Sequence, residues 1–254
     1  MTTVLDIFEA LKCLAPLELQ ESFDNAGFLV GHGDREVTHV LLALDITDEV
    51  IDEAVSLGAE LIVSHHPVIF EALKSVTADG PGRKVLTLIE HGIAAICMHT
   101  NLDIAQGGVN DVLIRLLGAE PSGALDRDGC GRVGELARPL STPELLARCK
   151  ERLNAKGIRY VDSGRPIRKL AVMGGAGGGA LEDAIAKGCD AYVTADVKYH
   201  SFLDASEAGI TLIDADHFCT EDPVIPYLAQ YLEVHFPALQ FSVSDRHHQI
   251  VDFF

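Results

Sequence analysis

Val37-Thr38-His39-Val40-Leu41-Leu42-Ala43-Leu44 is followed closely by Thr47-Asp48-Glu49-Val50-Ile51-Asp52-Glu53-Ala54-Val55-Ser56-Leu57, and then by Glu60-Leu61-Ile62-Val63-Ser64. The first and third stretches are short apolar runs rich in β-branched residues, the pattern of strands buried on both faces. The middle stretch spaces its apolar residues at helical intervals, and Thr47 stands where a side chain caps a helix start. Strand, helix and strand in this order make a βαβ unit, whose two strands lie parallel.

Outward from this unit the rhythm continues. Residues 83–91 read as a helix and 93–98 as a third strand. In the second half, 170–173, 190–194 and 210–213 read as strands, and 181–187 and 201–208 as helices. A final helix runs to about residue 234. The Gly-, Asp- and Arg-rich stretch from 120 to 138 is the expected junction. The expected fold is therefore α/β, with two halves of mostly parallel sheet covered by helices. The expected boundaries are 1–125 and 126–254, approximate because the halves may intermix.

The chain has 254 residues, 48% of them apolar and 23% charged, enough to bury a full core. Its 38 acids against 20 Lys plus Arg give a formal charge of −18, a field that repels phosphate backbones and anionic membranes and disfavours a nucleic-acid partner. The six cysteines form no C-x-x-C pair and read as reduced thiols, which points to a reducing, cytoplasmic setting. The N-terminus carries no export signal, and no apolar run approaches the ~20 residues that span a bilayer.

In open parallel sheets, functional side chains collect beyond the carboxyl ends of strands. Four segments place metal-ligating residue types there: Ser64-His65-His66-Pro67, His99-Thr100-Asn101-Leu102-Asp103, Asp196-Val197-Lys198-Tyr199-His200, and Asp214-Ala215-Asp216-His217 with Glu221. A lone histidine in such a place is more often a hydrogen-bonded structural residue. Two adjacent ones are harder to dismiss, because a turn can splay both toward one cavity. His217 and Glu221 are four apart, a spacing that stacks side chains on a helical face. Pro223 predicts a helix beginning only near Cys219 or Thr220, with His217 in the entering turn. Spacing alone leaves a metal site and ordinary hydrogen-bonded residues evenly matched.

Gly175-Ala176-Gly177-Gly178-Gly179-Ala180 fits G-x-G-x-x-A, with Asp196 about twenty residues on. Such a glycine run fits many patterns. Its readings are a close-packing turn, a phosphate cradle, or, less favoured, the turn of a dinucleotide-dependent oxidoreductase. Phe23-Asp24-Asn25-Ala26-Gly27 reads as a turn, Cys219 as a small core residue, and His247-His248 as solvated or edge-strand residues without matching carboxylates.

Taken together, these segments resemble the GTP cyclohydrolase I type 2 homologues, also described as dinuclear-metal-centre hexameric proteins. The resemblance rests on 23–31, 64–67, 99–103, 131–135, 193–200 and 213–221, which are collinear and span nearly the whole chain. It implies two similar α/β domains without an inserted middle domain, a homohexamer, and two divalent ions per chain. The implied ligands are His65, His66 and Asp103 from the first half and His217 and Glu221 from the second. Three imidazoles and two carboxylates suit Zn, Mn, Fe, Co or Ni. The name implies hydrolytic ring opening of a nucleotide-like small molecule, possibly GTP, with His99 and His200 placed to transfer protons. A non-catalytic metal-binding scaffold or metal-handling protein has the same ligands. Phe23 stands where the family pattern has Trp, and Ala195 and Asp216 stand where it has Gly. Asp216 is expected to orient His217, alter the metal preference or narrow the entry.

Overall fold

The computed structural model describes residues 1–254. The chain divides into two compact units, Met1–Gln106 with Ile225–His248, and Gly107–Val224 with Gln249–Phe254. The division thus falls well before residue 125, and the late segment 225–248 belongs with the beginning of the chain. The helix at 109–116 packs on strands of the second unit, which moves the boundary forward.

The first unit runs α1 (Val4–Leu14), β1 (Gly27–Val30), β2 (His39–Ala43), α2 (Asp48–Leu57), β3 (Leu61–Ser64), α3 (Arg83–His91), β4 (Ala94–Cys97) and α4 (Thr100–Ile104). Thr47 caps α2, its hydroxyl accepting from the Val50 amide at 3.2 Å. Strands β2, β3 and β4 are parallel neighbours, as the opening βαβ stretch predicts, and β1 closes one edge antiparallel to β4. Every residue of β2, β3 and β4 is buried. Leu41, Ala43, Ile62 and Ala95 form one core with Val50, Ile51 and Ala54 of α2 and Val85 and Leu88 of α3.

The second unit runs α5 (Val109–Leu116), β5 (Ala119–Ala124), β6 (Arg132–Leu140), α6 (Thr142–Arg152), β7 (Arg159–Val161), β8 (Ile167–Val172), α7 (Leu181–Ala186), β9 (Ala191–Thr194), α8 (Tyr199–Ala208), β10 (Thr211–Asp214) and α9 (His217–Glu221). Its sheet has the order β5-β6-β8-β9-β10-β7. Only β8, β9 and β10 are mutually parallel; β5, β6 and β7 pair antiparallel, so this sheet is mixed rather than mostly parallel. Side chains alternate faces along a strand. Leu170, Val172, Val193 and Ile213 accordingly pack with α5 and α6, whereas Ala171, Tyr192 and Leu212 pack with α7 and α8.

The stretch from 120 to 138 is not a junction. It forms the β5–β6 hairpin, with Glu120 opposite Glu135 and Ala124 opposite Arg132. Gly134 faces the Glu120 carbonyl so closely that a Cβ there would lie 2.2 Å from its oxygen, so glycine here serves strand contact rather than looseness.

The chain returns to the first unit through α10 (Val224–His235) and β11 (Gln240–Val243). β11 pairs parallel to β2, Gln240 opposite His39, and completes the sheet order β1-β4-β3-β2-β11. No helix is long and apolar enough to cross a membrane.

Candidate metal centre

In the first unit, β3 and β4 end in register, Ser64 opposite Cys97. The residues just beyond them therefore emerge side by side. The ladder continues past both ends through Met98 N–H to Ser64 O at 2.9 Å, and His66 N–H reaches Leu44 O at 2.9 Å. His65, His66 and His99 converge here: one ring nitrogen from each lies within 4.8 Å of the others. Their ring centroids are 5.0 to 5.5 Å apart. Asp103, on α4, brings Oδ1 to 3.7 Å from His65 Nε2.

Each of the three rings is held at Nδ1 by an acceptor. His65 Nδ1–H donates to the Met98 carbonyl at 2.8 Å, His66 Nδ1–H to Asp45 Oδ1 at 2.8 Å, and His99 Nδ1–H to Asp24 Oδ1 at 2.7 Å. Because a carbonyl or carboxylate only accepts, Nδ1 carries the proton, and in the neutral ring the lone pair is on Nε2. Metal-ligating histidines are oriented in this way. Burial acts to raise the Asp24 carboxyl, but hydrogen bonds from His99 and Thr100 outweigh it and hold it at about 2. For Asp45, burial is likewise outweighed by hydrogen bonds from His247 and His66, leaving it well below the ordinary carboxylate range. Both groups are anions at neutral pH.

The second unit repeats the device. β9 and β10 are parallel, Thr194 opposite Asp214. The buried Asp214 carboxylate accepts from Val197 N–H at 3.1 Å and Asp216 N–H at 3.2 Å, tying together the two loops that follow these strands. His217 Nδ1–H donates to Asp196 Oδ2 at 2.8 Å, and its Nε2 lies 3.0 Å from Glu221 Oε2. His217 is the first residue of α9 rather than part of an entering turn. Pro223 stands just after the end of α9 and before α10, where it removes no helical hydrogen bond. The four-residue spacing with Glu221 is therefore a true helical pair.

Asp216 does not orient His217. It caps α9, its carboxylate accepting from Cys219 N–H at 3.2 Å and from the Gln249 side chain. Its φ of 78° and that of Asp196, 52°, lie in the left-handed region. The glycine run also has a different use from the nucleotide readings. Gly175, at φ 62°, accommodates the Glu221 carboxylate: a Cβ on it would lie 2.0 Å from Glu221 Oε1. Its N–H donates to Thr220 Oγ1 at 3.0 Å, and the Gly174 N–H to Asn110 Oδ1 at 2.9 Å. Asp196, the supposed ribose acid, is engaged with His217.

The other expected proton-transfer residue, His200, is exposed near the start of α8 and belongs to none of the convergent donor groups. Its ring stands edge-on to Tyr199 at 5.5 Å. His247 is neither solvated nor at a strand edge. Its side chain is 7% exposed, with Nε2 3.0 Å from Asp45 Oδ2. Sequence reasoning missed Asp24, Asp45 and His247 as partners of the cluster. For Asp45 a signal existed, since it follows β2 by two residues at the same carboxyl edge. Asp24 and His247 have no such local mark.

The donor set fits a borderline divalent cation. Its imidazoles are fixed in one tautomer, carboxylates stand beside them, and the nearby thiols are withdrawn. Cys97 Sγ donates to the His65 carbonyl at 2.9 Å, and burial pushes its thiol well up. Burial likewise lifts the Cys219 thiol to about 12. Neither sulfur belongs to the convergent donor groups, so these groups offer nitrogen and oxygen.

An α/β fold whose strand ends carry oriented histidines beside carboxylates defines a candidate divalent-metal protein. The chain belongs to the Duf34/NIF3 (NGG1p interacting factor 3) family, whose model matches residues 2–249. It is 39% identical over 228 residues to the GTP cyclohydrolase 1 type 2 homolog of Clostridium perfringens, covering 87% of each chain. It is 40% identical over 260 residues to the protein of the same name from Streptomyces coelicolor, covering 97% of this chain and 88% of the relative. Among solved structures, the Staphylococcus aureus hypothetical protein SA1388 superposes with a TM-score of 0.90 at 29% identity, covering 99% of both chains. Reduced HcgD from Methanocaldococcus jannaschii gives 0.85 at 30% identity, covering 96% of this chain and 98% of that one.

Proposed function

We propose that this chain binds two divalent metal ions through His65, His66, Asp103, His217 and Glu221, and acts as a metal-dependent hydrolase on a nucleotide-like substrate. One observation carries the reading: within each unit, every imidazole of this set is held at Nδ1 by an acceptor, with Nε2 as the ligating nitrogen. Glu221 would be the carboxylate shared by the ions, because its two oxygens can serve two cations. When bound, the ions would supply a water activated near neutral pH. The ions are Zn, Mn, Fe, Co or Ni, which the donor chemistry does not separate.

His99 is the residue assigned to proton transfer. It stands within ligand distance of His65 and His66, so the metal content of His99→Ala distinguishes a third ligand from a proton carrier. His200 is left out of the mechanism because it is exposed and outside the donor groups. The names of the relatives favour GTP as substrate, and the family resemblance favours a homohexamer; the reduced cysteines favour a cytoplasmic setting. The family's description as an interacting factor supports a second reading, a metal-binding protein without turnover.

The deciding experiment loads the protein with Zn or Mn and assays GTP beside phosphoesters and cyclic amides. Metal-dependent turnover of one class is expected, and two bound ions without any turnover select the second reading. Light scattering should return the mass of six chains; a stable monomer at micromolar concentration removes the hexamer.

A further inference from the structure

We propose that His247 is a positioning residue for His66, acting through Asp45, so that the C-terminal segment of the chain sets metal affinity at the first-unit cluster. The proposal rests on the reading of His66 as a metal ligand.

Asp24 and Asp45 do the same job for two rings of the cluster, and each needs a fixed second oxygen to do it. Asp24 spends Oδ1 on His99 and anchors Oδ2 on the Thr100 N–H at 3.0 Å, one residue from the ring it serves. Asp45 spends Oδ1 on His66, and no neighbour in sequence anchors Oδ2. His247 Nε2 faces both this oxygen, 3.0 Å away, and the Asp45 backbone N–H, 3.1 Å away; protonated it donates to the carboxylate, unprotonated it accepts from the N–H, and either bond ties Asp45 to His247. The Asp45 side chain is 40% exposed, so without this contact its carboxylate would be free to turn toward water.

The placement of His247 is itself built. β11 runs parallel to β2, which brings its carboxyl end out beside Asp45, and Ser244 N–H continues the ladder to Leu42 O at 2.8 Å. Buried Glu53 on α2 then gathers the turn. Its carboxylate accepts from the Ser244 hydroxyl, from Asp245 N–H at 3.0 Å and from Arg246 N–H at 3.3 Å. His247 N–H closes the turn on Ser244 Oγ at 3.1 Å. Four consecutive residues are thus fixed by one buried carboxylate and one hydroxyl, and the last of them presents its ring to Asp45. Solvent contacts or mere tail packing would not require so many directed bonds.

Loss of an outer-shell partner typically costs 10–100-fold in metal affinity. His247 acts one residue further out, so a fall of about 3–10-fold is expected for His247→Leu, which fills the space without a donor or an acceptor. His247→Gln keeps an N–H for the Asp45 carboxylate and an oxygen for its backbone N–H, and should bind as the wild type does. His248→Ala, altering the exposed neighbour, is the control. Affinity is read by chelator competition with Zn, and the visible spectrum of the Co-loaded protein reports ligand geometry. The spectrum should shift in the Leu variant and be restored in the Gln variant. Wild-type affinity and spectrum in a folded His247→Leu would overturn the proposal, as would equal loss in Leu and Gln variants. If His247→Leu does not fold, a wild-type spectrum in Asp45→Ala, which removes the link itself, would overturn it equally. Wild-type Zn binding in His66→Ala would instead sink the metal reading beneath it.

Discussion

The carboxylate of Glu221 occupies the space where a side chain on Gly175 would begin, 2.0 Å from the position of a Cβ. The two residues are therefore one structural unit. Gly175→Ala should cost about 1–3 kcal/mol from its left-handed backbone alone. It should also push Glu221 aside and reduce metal binding, whereas Gly179→Ala, with open space around it, should leave binding unchanged. Metal titration beside thermal unfolding checks this; normal binding in Gly175→Ala would show that Glu221 is not a ligand.

Glu221→Gln keeps the shape of the side chain and removes its charge. The fold should persist by circular dichroism, while elemental analysis should fall from two ions per chain toward one, and any hydrolytic turnover should vanish. His66→Ala should lower the metal content as well. Full occupancy with unchanged turnover in Glu221→Gln would place the bridge elsewhere.

Asp216 combines a helix cap with an unfavourable φ of 78°. Replacing it with Gly relieves the backbone and loses the cap, so the stability change should stay within about 1 kcal/mol. Asp216→Ala loses the cap and keeps the strain, and should cost about 1–2 kcal/mol more. Neither should disturb His217, because Asp196 holds its ring; Asp196→Ala should weaken metal binding about 10–100-fold. Comparable metal loss in Asp216→Gly and Asp196→Ala would contradict that division of roles.

Asp24 is held at about 2 in the folded protein against 3.8 for the free carboxyl. A depressed carboxyl stabilises the fold above its unfolded pKa, and that contribution is lost as pH falls through the folded value. Its side chain is fully buried, so the contribution is on the order of 2 kcal/mol. Urea unfolding of the metal-free protein should therefore lose stability between about pH 4 and pH 2 more steeply than Asp24→Asn. Parallel acid limbs for the two proteins would remove Asp24 as the cause.

What the sequence discloses follows the range of the interactions involved. The β2–α2–β3 unit is legible because burial and helical period are local, and so is the placing of His65, His66 and His99 in one unit, and of His217 in the other, just beyond strand ends. The β5–β6 hairpin is obscured because Gly, Asp and Arg dominate its residues and its pairing is antiparallel. The partners that hold the rings are the least legible. Asp24 and His99 are 75 residues apart, and Asp45 and His247 are 202 apart. No periodicity joins such pairs; only the completed sheet does. Asp196 stands at a strand end among the metal-ligating residue types, but its spacing from the glycine run marks a ribose acid where the fold makes it the partner of His217.

The pairing of β11 with β2 also orders events during synthesis. A ribosome releases β1 to β4 long before it releases residues 240–243, and at ordinary translation rates the interval is on the order of ten seconds. Throughout it, one flank of β2 offers unpaired amides and carbonyls to any passing strand, including that of another nascent chain. It is β11 that closes this flank. Premature termination anywhere before residue 240 therefore leaves a sticky, open-edged sheet, and such fragments are natural clients for chaperones and proteases.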